Sequence, residues 1–166
     1  MSLTKIIRGA FVSRQKEIER YDKEAEALQM EVLHYLMSNA KHTEYGRKYS
    51  FGAVGSYSDY ASHVPVNTYE ELKGYIDRMR HGECDLLWKG SVKWYAKSSG
   101  TTNDKSKFIP VSHDGLQHVH YAGGKDAVAL YLRNNPDSRL FDGKSLILGG
   151  SHSPNYGVAD SLVGDL

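Results

Sequence analysis

A stretch near the middle of the chain, KSSGTTNDKSKFIP at residues 97–110, has side chains that suit anion binding. Phosphate oxygens are held at close range by backbone N–H groups, hydroxyls and cations. The stretch offers small hydroxyl side chains and lysines, and its glycine lets the main chain approach an anion without a Cβ in the way. The candidate phosphate-binding residues are Ser98, Ser99, Gly100, Thr101, Thr102, Lys105 and Lys107.

This stretch departs from the P-loop pattern, G-x-x-x-x-G-K-[ST], because residues 100–106 give G-x-x-x-x-K-S and lack the second glycine. In a P-loop the lysine begins a helix whose N-terminus holds the phosphates. Here Pro110 closely follows Lys107, and a residue before proline is pushed out of the helical region. We therefore predict a loop between two extended segments, with no helix beginning at Lys105 or Ser106.

The chain before this loop has the patterns of helices. Apolar residues recur every three or four positions over residues 4–40, which predicts one long helix. A segment punctuated by glycines, Gly46 among them, predicts loops, and a short helix is expected at residues 57–62. Asn67 or Thr68 is placed to cap a further helix, which Gly82 is placed to end.

The hydrophobic period changes after residue 90. The alternation in SVKWYAKS predicts a strand, and KFIPV predicts a second, short one. A helix is expected over residues 113–133, and KSLILGG predicts a closing buried strand. This order predicts an α/β fold, with a mainly helical lead-in at residues 1–90 and an α/β part carrying the loop at residues 91–166.

Composition excludes several classes of protein. A length of 166 residues suits one domain or part of a larger one, and a net charge of +1 gives no basis for binding nucleic acid or an anionic membrane. Cys84 is the only cysteine, so an internal disulfide is impossible. No apolar run is long enough for a signal peptide or a membrane span, which predicts a cytoplasmic protein.

The loop and the residues before it resemble a known family. SSGTTNDKSKFIP is similar to the first core motif of the adenylate-forming, firefly-luciferase-like enzymes, and most closely to that of the auxin-responsive acyl acid–amido synthetases. The Val-Pro-Val, Tyr-Glu-x-Leu and Leu-Trp-x-Gly elements of this branch precede the loop in the expected order. The resemblance spans most of the chain and is specific over residues 63–111.

The resemblance implies a function, a fold and a site. Such enzymes use ATP and Mg²⁺ to activate a small-molecule carboxylic acid as an acyl-adenylate, and then transfer the acyl group to an amine, usually an amino acid. Residues 98–102 match the segment that grips phosphate, Lys107 matches a basic position near its end, and Lys105 lies in its variable part. Asp104 stands where many plant members have glycine.

The resemblance also implies that this chain is the N-terminal part of the large N-terminal domain of such an enzyme. The family's chains are several hundred residues longer, with later motifs for adenine and ribose that these 166 residues lack. The chain by itself is therefore expected to be inactive.

Two other interpretations need weighing. The loop could be an ordinary turn in a non-catalytic structural or interaction module. His113, His118 and His120 could suggest a metal site, but spacings of five and two do not place three ligands on one helix face, so we predict no metal there.

Overall fold

The computed structural model describes residues 2–98, 106–156, 158 and 160–164. Within these ranges helices dominate the first half, and a small mixed sheet forms in the second. This confirms the predicted α/β class. The helices are α1 (Leu3–Ala10), α2 (Val12–Lys23), α3 (Ala25–Ala40), α4 (Glu44–Lys48), α5 (Tyr57–His63), α6 (Tyr69–Arg80), α7 (His113–Gly115) and α8 (Ala122–Asn134), and the strands are β1 (Trp94–Lys97), β2 (Phe108–Val111), β3 (His152–Pro154) and β4 (Leu162–Gly164).

The single helix predicted over residues 4–40 is wrong, because three helices occupy this range. The first break is at Phe11, which follows Gly9 by two positions, and glycine is a poor helix former. The second is at Glu24, whose backbone angles (φ −126°, ψ 23°) leave the helical region. Neither proline nor glycine adjoins Glu24, and nothing in the local sequence accounts for this break.

The segment predicted as loop around Gly46 contains the short helix α4 and a 3₁₀ turn at Phe51–Ala53. Thr43 begins α4, because its hydroxyl accepts from the Gly46 N–H at 2.9 Å and donates to the Ala40 carbonyl at 2.7 Å. Gly46 is buried against that carbonyl, so it is a close-packing residue in a helix.

The helix α6 begins and ends as the sequence predicts. The Glu71 carboxylate accepts from the Thr68 N–H at 2.6 Å and from its hydroxyl at 2.8 Å, which supplies a partner for a free N–H at the helix start. Past its C-terminus, Gly82 adopts φ +93°, a value that glycine tolerates and other residues resist. The short helix predicted before it, α5, is also present.

The four strands form one sheet in the order β2-β1-β4-β3. Strand β1 pairs antiparallel with β2 and parallel with β4, and β3 pairs antiparallel with β4. The predicted strands β1 and β2 are confirmed. The predicted strand in KSLILGG is wrong: residues 144–150 form no strand, and Leu146 and Leu148 are about nine-tenths exposed.

The helix predicted over residues 113–133 is confirmed as α7 and α8, joined by a π-helical segment at Leu116–Tyr121. The described residues divide into two compact units. One contains Met1–Leu28 and Asp114–Gly149, and the other contains Gln29–His113 and Gly150–Leu166.

Within the first unit, α2 and α8 are joined by a bidentate ion pair between Arg14 and Asp126 (2.5 and 2.8 Å). Buried Thr4 and the side chain of Asp142 bond the start of α1 to the turn around residue 142.

The second unit has two apolar clusters. Tyr95 of β1, fully buried, packs with Met79, Leu86, Val92 and Val163. A separate cluster contains Met37, Ala40, Phe51 and Val54. The first cluster lies between α6 and the sheet, so it fixes where the β1–β2 hairpin stands relative to the end of α6.

Candidate functional site

The predicted loop connects two paired strands. Lys97 and Phe108 are the last register partners of the β1–β2 hairpin. Just beyond them, the Ser98 N–H donates to the Lys107 carbonyl at 3.0 Å, and the Lys107 N–H donates to the Ser98 hydroxyl at 3.2 Å. Two predicted site residues therefore hold the base of the loop together.

The other predicted site residues, Ser99, Gly100, Thr101, Thr102 and Lys105, lie outside the described residues. Ser106 and Lys107 are described, and neither is helical. Strand β2 begins directly after them, so the prediction that no helix begins at Ser106 is confirmed.

Tyr69, the first residue of α6, ties the hairpin to that helix. Its hydroxyl accepts from the Phe108 N–H at 3.0 Å, and its ring lies 5.4 Å from the Lys107 ammonium group. A cation over an aromatic face is attracted to it, so Tyr69 restrains the Lys107 side chain at the loop base.

Beside the hairpin is an open cleft of about 600 Å³. Its described walls offer two cations, Arg80 and Lys97, and the hydroxyls of Ser98, Ser106 and Ser153, and they include no aspartate or glutamate. Hydroxyls and cations without a competing carboxylate are the donor set that a phosphate group requires.

Arg80 is a site residue that the sequence analysis missed. It is the last residue of α6, and its side chain is 8% exposed. Its guanidinium lies 3.5 Å from the centre of the Phe108 ring and 4.4 Å from that of Tyr156. In the sequence, Arg80 can be recognised only as a basic residue in the last turn of a helix. Such a residue usually lies at the surface, where its charge interacts favourably with the helix dipole.

Asn155 is hydrogen-bonded to both the main chain and the side chain of Arg80. Its amide donates to the Arg80 carbonyl at 2.7 Å and to the Ser161 hydroxyl at 3.0 Å, and its oxygen accepts from Arg80 Nε at 3.3 Å. Asn155 is 1% exposed. Buried polar groups of this kind are fully bonded only in one arrangement, so the network fixes the position of Arg80.

Tyr95 lies under the cleft, and burial raises the pKa of its phenol to about 12. Its hydroxyl has no hydrogen-bond partner among the described residues. The phenol therefore stays protonated at neutral pH, and Tyr95 is a fully buried core residue.

Metal ligands are not assembled in the described part of the chain. No three His, Cys, Asp or Glu side chains come close enough there to hold an ion. His113 lies in α7, and His118 and His120 lie in the π-helical segment. None of the described helices is long and apolar enough to cross a bilayer.

These features define a mixed α/β protein in which Ser98 and Ser106, on either side of the predicted loop, line a cationic cleft. The GH3 family N-terminal domain matches residues 14–157, and the chain belongs to this family. This confirms the resemblance to the acyl acid–amido synthetases.

Similar proteins include curated plant enzymes. The chain is 34% identical over 121 residues to indole-3-acetic acid-amido synthetase GH3.15 of Arabidopsis thaliana, covering 72% of this chain and 20% of the relative. It is 27% identical over 103 residues to jasmonoyl--L-amino acid synthetase JAR4 of Nicotiana attenuata, covering 61% and 18%.

Among solved structures, the chain is similar to AtGH3.15 acyl acid amido synthetase in complex with 2,4-DB. The TM-score is 0.74 at 26% identity, covering 94% of this chain and 26% of that one. The chain thus spans about a fifth of the length of the curated relatives it matches.

Proposed function

We propose that this chain supplies the phosphate-binding part of an ATP-dependent acyl acid–amido synthetase. The enzyme would activate a small-molecule carboxylic acid as an acyl-adenylate and transfer the acyl group to an amine such as an amino acid. Family membership supports this proposal, because the named relatives are amido synthetases that act on acids of this kind.

One observation carries the proposal for this chain: Ser98 and Lys107 close the base of the loop beside a cleft of cations and hydroxyls. In the proposed reaction a carboxylate oxygen of the acid bonds to the α-phosphorus of ATP, and pyrophosphate leaves with the electron pair of the broken P–O bond. Donors placed where that negative charge grows stabilise the transition state more than the ground state.

The proposed roles follow from the donor chemistry. Ser98, Ser99, Thr101 and Thr102 would donate hydroxyl hydrogen bonds to phosphate oxygens, and Gly100 would let backbone N–H groups approach them. Lys105 and Lys107 would supply positive charge. In the second step the amine nitrogen bonds to the acyl carbon and AMP leaves, which requires groups that we do not assign to this chain.

ATP and Mg²⁺ are part of this proposal. The cleft fits phosphate, as its donor set indicates. No group of three or more His, Cys, Asp or Glu side chains that could hold an ion lies among the described residues. We therefore assign no role to the ion in what this chain's residues do. We also propose a cytoplasmic location, where Cys84 would stay reduced.

The test is nucleotide binding and acid-dependent turnover by a full-length protein that carries this chain. ATP should raise its melting temperature, because a ligand that binds only the folded state stabilises that state. A panel of acids including indole-3-acetic and jasmonic acid, the acids named for the relatives, should identify one that releases pyrophosphate. If ATP neither stabilises the protein nor is cleaved with any acid, the chain is the non-catalytic module instead.

A further inference from the structure

We infer that Arg80 is an oxyanion ligand in the cleft and binds the pyrophosphate portion of the nucleotide. This inference rests on the proposed function for the identity of the anion. Its basis is the environment of the guanidinium, which is buried, in contact with two aromatic rings and incompletely hydrogen-bonded.

Two aromatic rings contact the Arg80 guanidinium. Phe108 and Tyr156 both lie at stacking distance, at 3.5 and 4.4 Å from the guanidinium carbon. His81 stacks in turn on Tyr156 at 4.8 Å with an interplanar angle of 12°, which supports that ring from outside. Guanidinium N–H groups point outward in the plane of the group, so contact with an aromatic ring does not use up these donors.

Most of those donors are unused within the described residues. Nε donates to Asn155 at 3.3 Å, and the nearest carboxylate to a terminal nitrogen is Asp77, at 4.0 Å. Neither terminal nitrogen has a hydrogen-bond acceptor in the described ranges. A buried cation with unused hydrogen-bond donors lowers the stability of the folded protein. An anion bound in the cleft would supply the missing acceptors.

A comparison with Arg78 and the position of Arg80 in the cleft both indicate that Arg80 binds an anion. Arg78, two positions earlier on α6, has its guanidinium bonded to the carboxylates of Glu44 and Glu83. Among the described residues Arg80 has only a longer carboxylate contact, to Asp77 at 4.0 Å, and it lines the same cleft as Lys97, Ser98 and Ser106. A planar fork takes either a phosphate or a carboxylate, but the hydroxyls and second cation nearby favour phosphate.

The experiment uses the 166-residue chain and pyrophosphate as the probe. The Arg80 Nε–H resonance is recorded by ¹H–¹⁵N NMR and assigned by its absence in the spectrum of Arg80→Lys. Titration with pyrophosphate into the millimolar range should shift this resonance saturably. Arg80→Gln should weaken pyrophosphate binding about tenfold or more, the loss expected for a charge-assisted bidentate contact. Arg80→Lys should also weaken it, because an ammonium group cannot replace the planar fork.

The matched control is Arg78→Gln, which removes the same charge from the same helix and should leave pyrophosphate affinity within about twofold. Thermal melts of each variant show whether it is folded, and the wild-type resonance remains a valid readout if Arg80→Gln does not fold. A resonance that does not respond to pyrophosphate, or wild-type affinity in Arg80→Lys, would overturn the inference. A response to benzoate instead of pyrophosphate would overturn the phosphate assignment.

The outcome is distinguishable from failure of the proposed function. If Arg80 does not respond but Lys107→Ala slows adenylation in the full-length enzyme, the inference fails and the function stands. If Arg80 responds but ATP neither stabilises the full-length protein nor is cleaved with any acid, the anion site stands and the proposed function fails.

Discussion

Gly46 lies in the short helix α4 at a position that has no room for a side chain. A Cβ added there would lie 2.0 Å from the Ala40 carbonyl oxygen, which is backbone and cannot easily move. We expect Gly46→Ala to lower the free energy of unfolding by about 3 kcal/mol, the upper part of the usual range for overpacking. Chemical denaturation measured by circular dichroism would show this as a lower midpoint with an unchanged slope.

Gly74 is the matched control, because it lies in α6 with open space around it. Gly74→Ala should raise stability by about 0.5–1 kcal/mol through better helix propensity. Equal effects of the two substitutions would show that Gly46 is not a close-packing residue.

Asp142 makes stability depend on acid pH. Hydrogen bonds from the Ser2 hydroxyl and the Thr4 N–H lower the pKa of this carboxyl from 3.8 to about 2. Because the folded-state pKa is depressed, the stabilisation is present above about pH 4 and is lost as the pH falls through about 2. The melting temperature should therefore drop over this window, and less so in Asp142→Asn.

Asp137, an exposed carboxylate in the same turn region, provides the comparison. Asp137→Asn removes a negative charge without removing a hydrogen bond to Ser2 or Thr4, so it is the control against which the wild-type slope of melting temperature with pH is compared. If Asp142→Asn keeps that slope, the hydrogen bonds to Ser2 and Thr4 do not contribute as described.

At the scale of elements, the start of α6 depends on Glu71. Its carboxylate accepts from the backbone and side chain of Thr68, which lowers its pKa. Glu71→Ala should lower the denaturation midpoint, because it removes one half of a reciprocal capping interaction. Glu70→Ala, one position earlier, removes only an exposed 3.8 Å contact with Lys73 and should lower the midpoint much less. Urea denaturation of both variants measures these losses of stability. A loss in Glu70→Ala as large as that in Glu71→Ala would show that the contacts of Glu71 with Thr68 do not stabilise the start of α6.

Elements with local signals could be predicted from the sequence, and elements that depend on distant pairing could not. Strand β1 shows alternation and β2 contains a proline-restricted extended run, so both were identified. Strands β3 and β4 are three residues long, and β4 exists because it pairs in parallel with β1 across more than 60 positions. KSLILGG has the apolar composition of a strand, but no described strand pairs with it.

The candidate site divides in the same way. Ser98 and Lys107 could be identified from residue type and spacing, because a loop's donors are contiguous in sequence. Arg80 could not, because its environment is built from Phe108, Asn155 and Tyr156, which only the tertiary fold brings together. A basic residue at a helix end gives no local indication of burial.

At the scale of the whole molecule, the chain corresponds to about a fifth of its curated relatives. We predict that the 166-residue chain does not exchange pyrophosphate into ATP with any acid, because contacts to adenine and ribose are expected from motifs that its sequence lacks. Radiolabelled pyrophosphate exchange with an acid panel measures this, and a full-length protein carrying the chain is the positive control. Acid-dependent exchange by the chain alone would show that it contains a complete site.

We propose that residues of the loop bind phosphate more strongly as charge develops on the leaving pyrophosphate. The direct test is the rate of single-turnover acyl-adenylate formation at saturating ATP. In the full-length protein, Thr101→Ala should lose about 2–4 kcal/mol of transition-state stabilisation, by analogy with removing one oxyanion donor. Lys107→Ala should slow the same step. Thr101→Ser, which keeps the hydroxyl, should retain most of the rate.

Lys93→Ala is the charge control, because Lys93 is exposed and pairs with exposed Asp160 at 3.5 Å. We expect none of these substitutions to lower the melting temperature appreciably. Adenylation should be slow in Thr101→Ala and Lys107→Ala, with unchanged melting, and should proceed at the normal rate in Lys93→Ala. Normal adenylation rates in both loop variants would contradict the proposal and make the loop a simple turn.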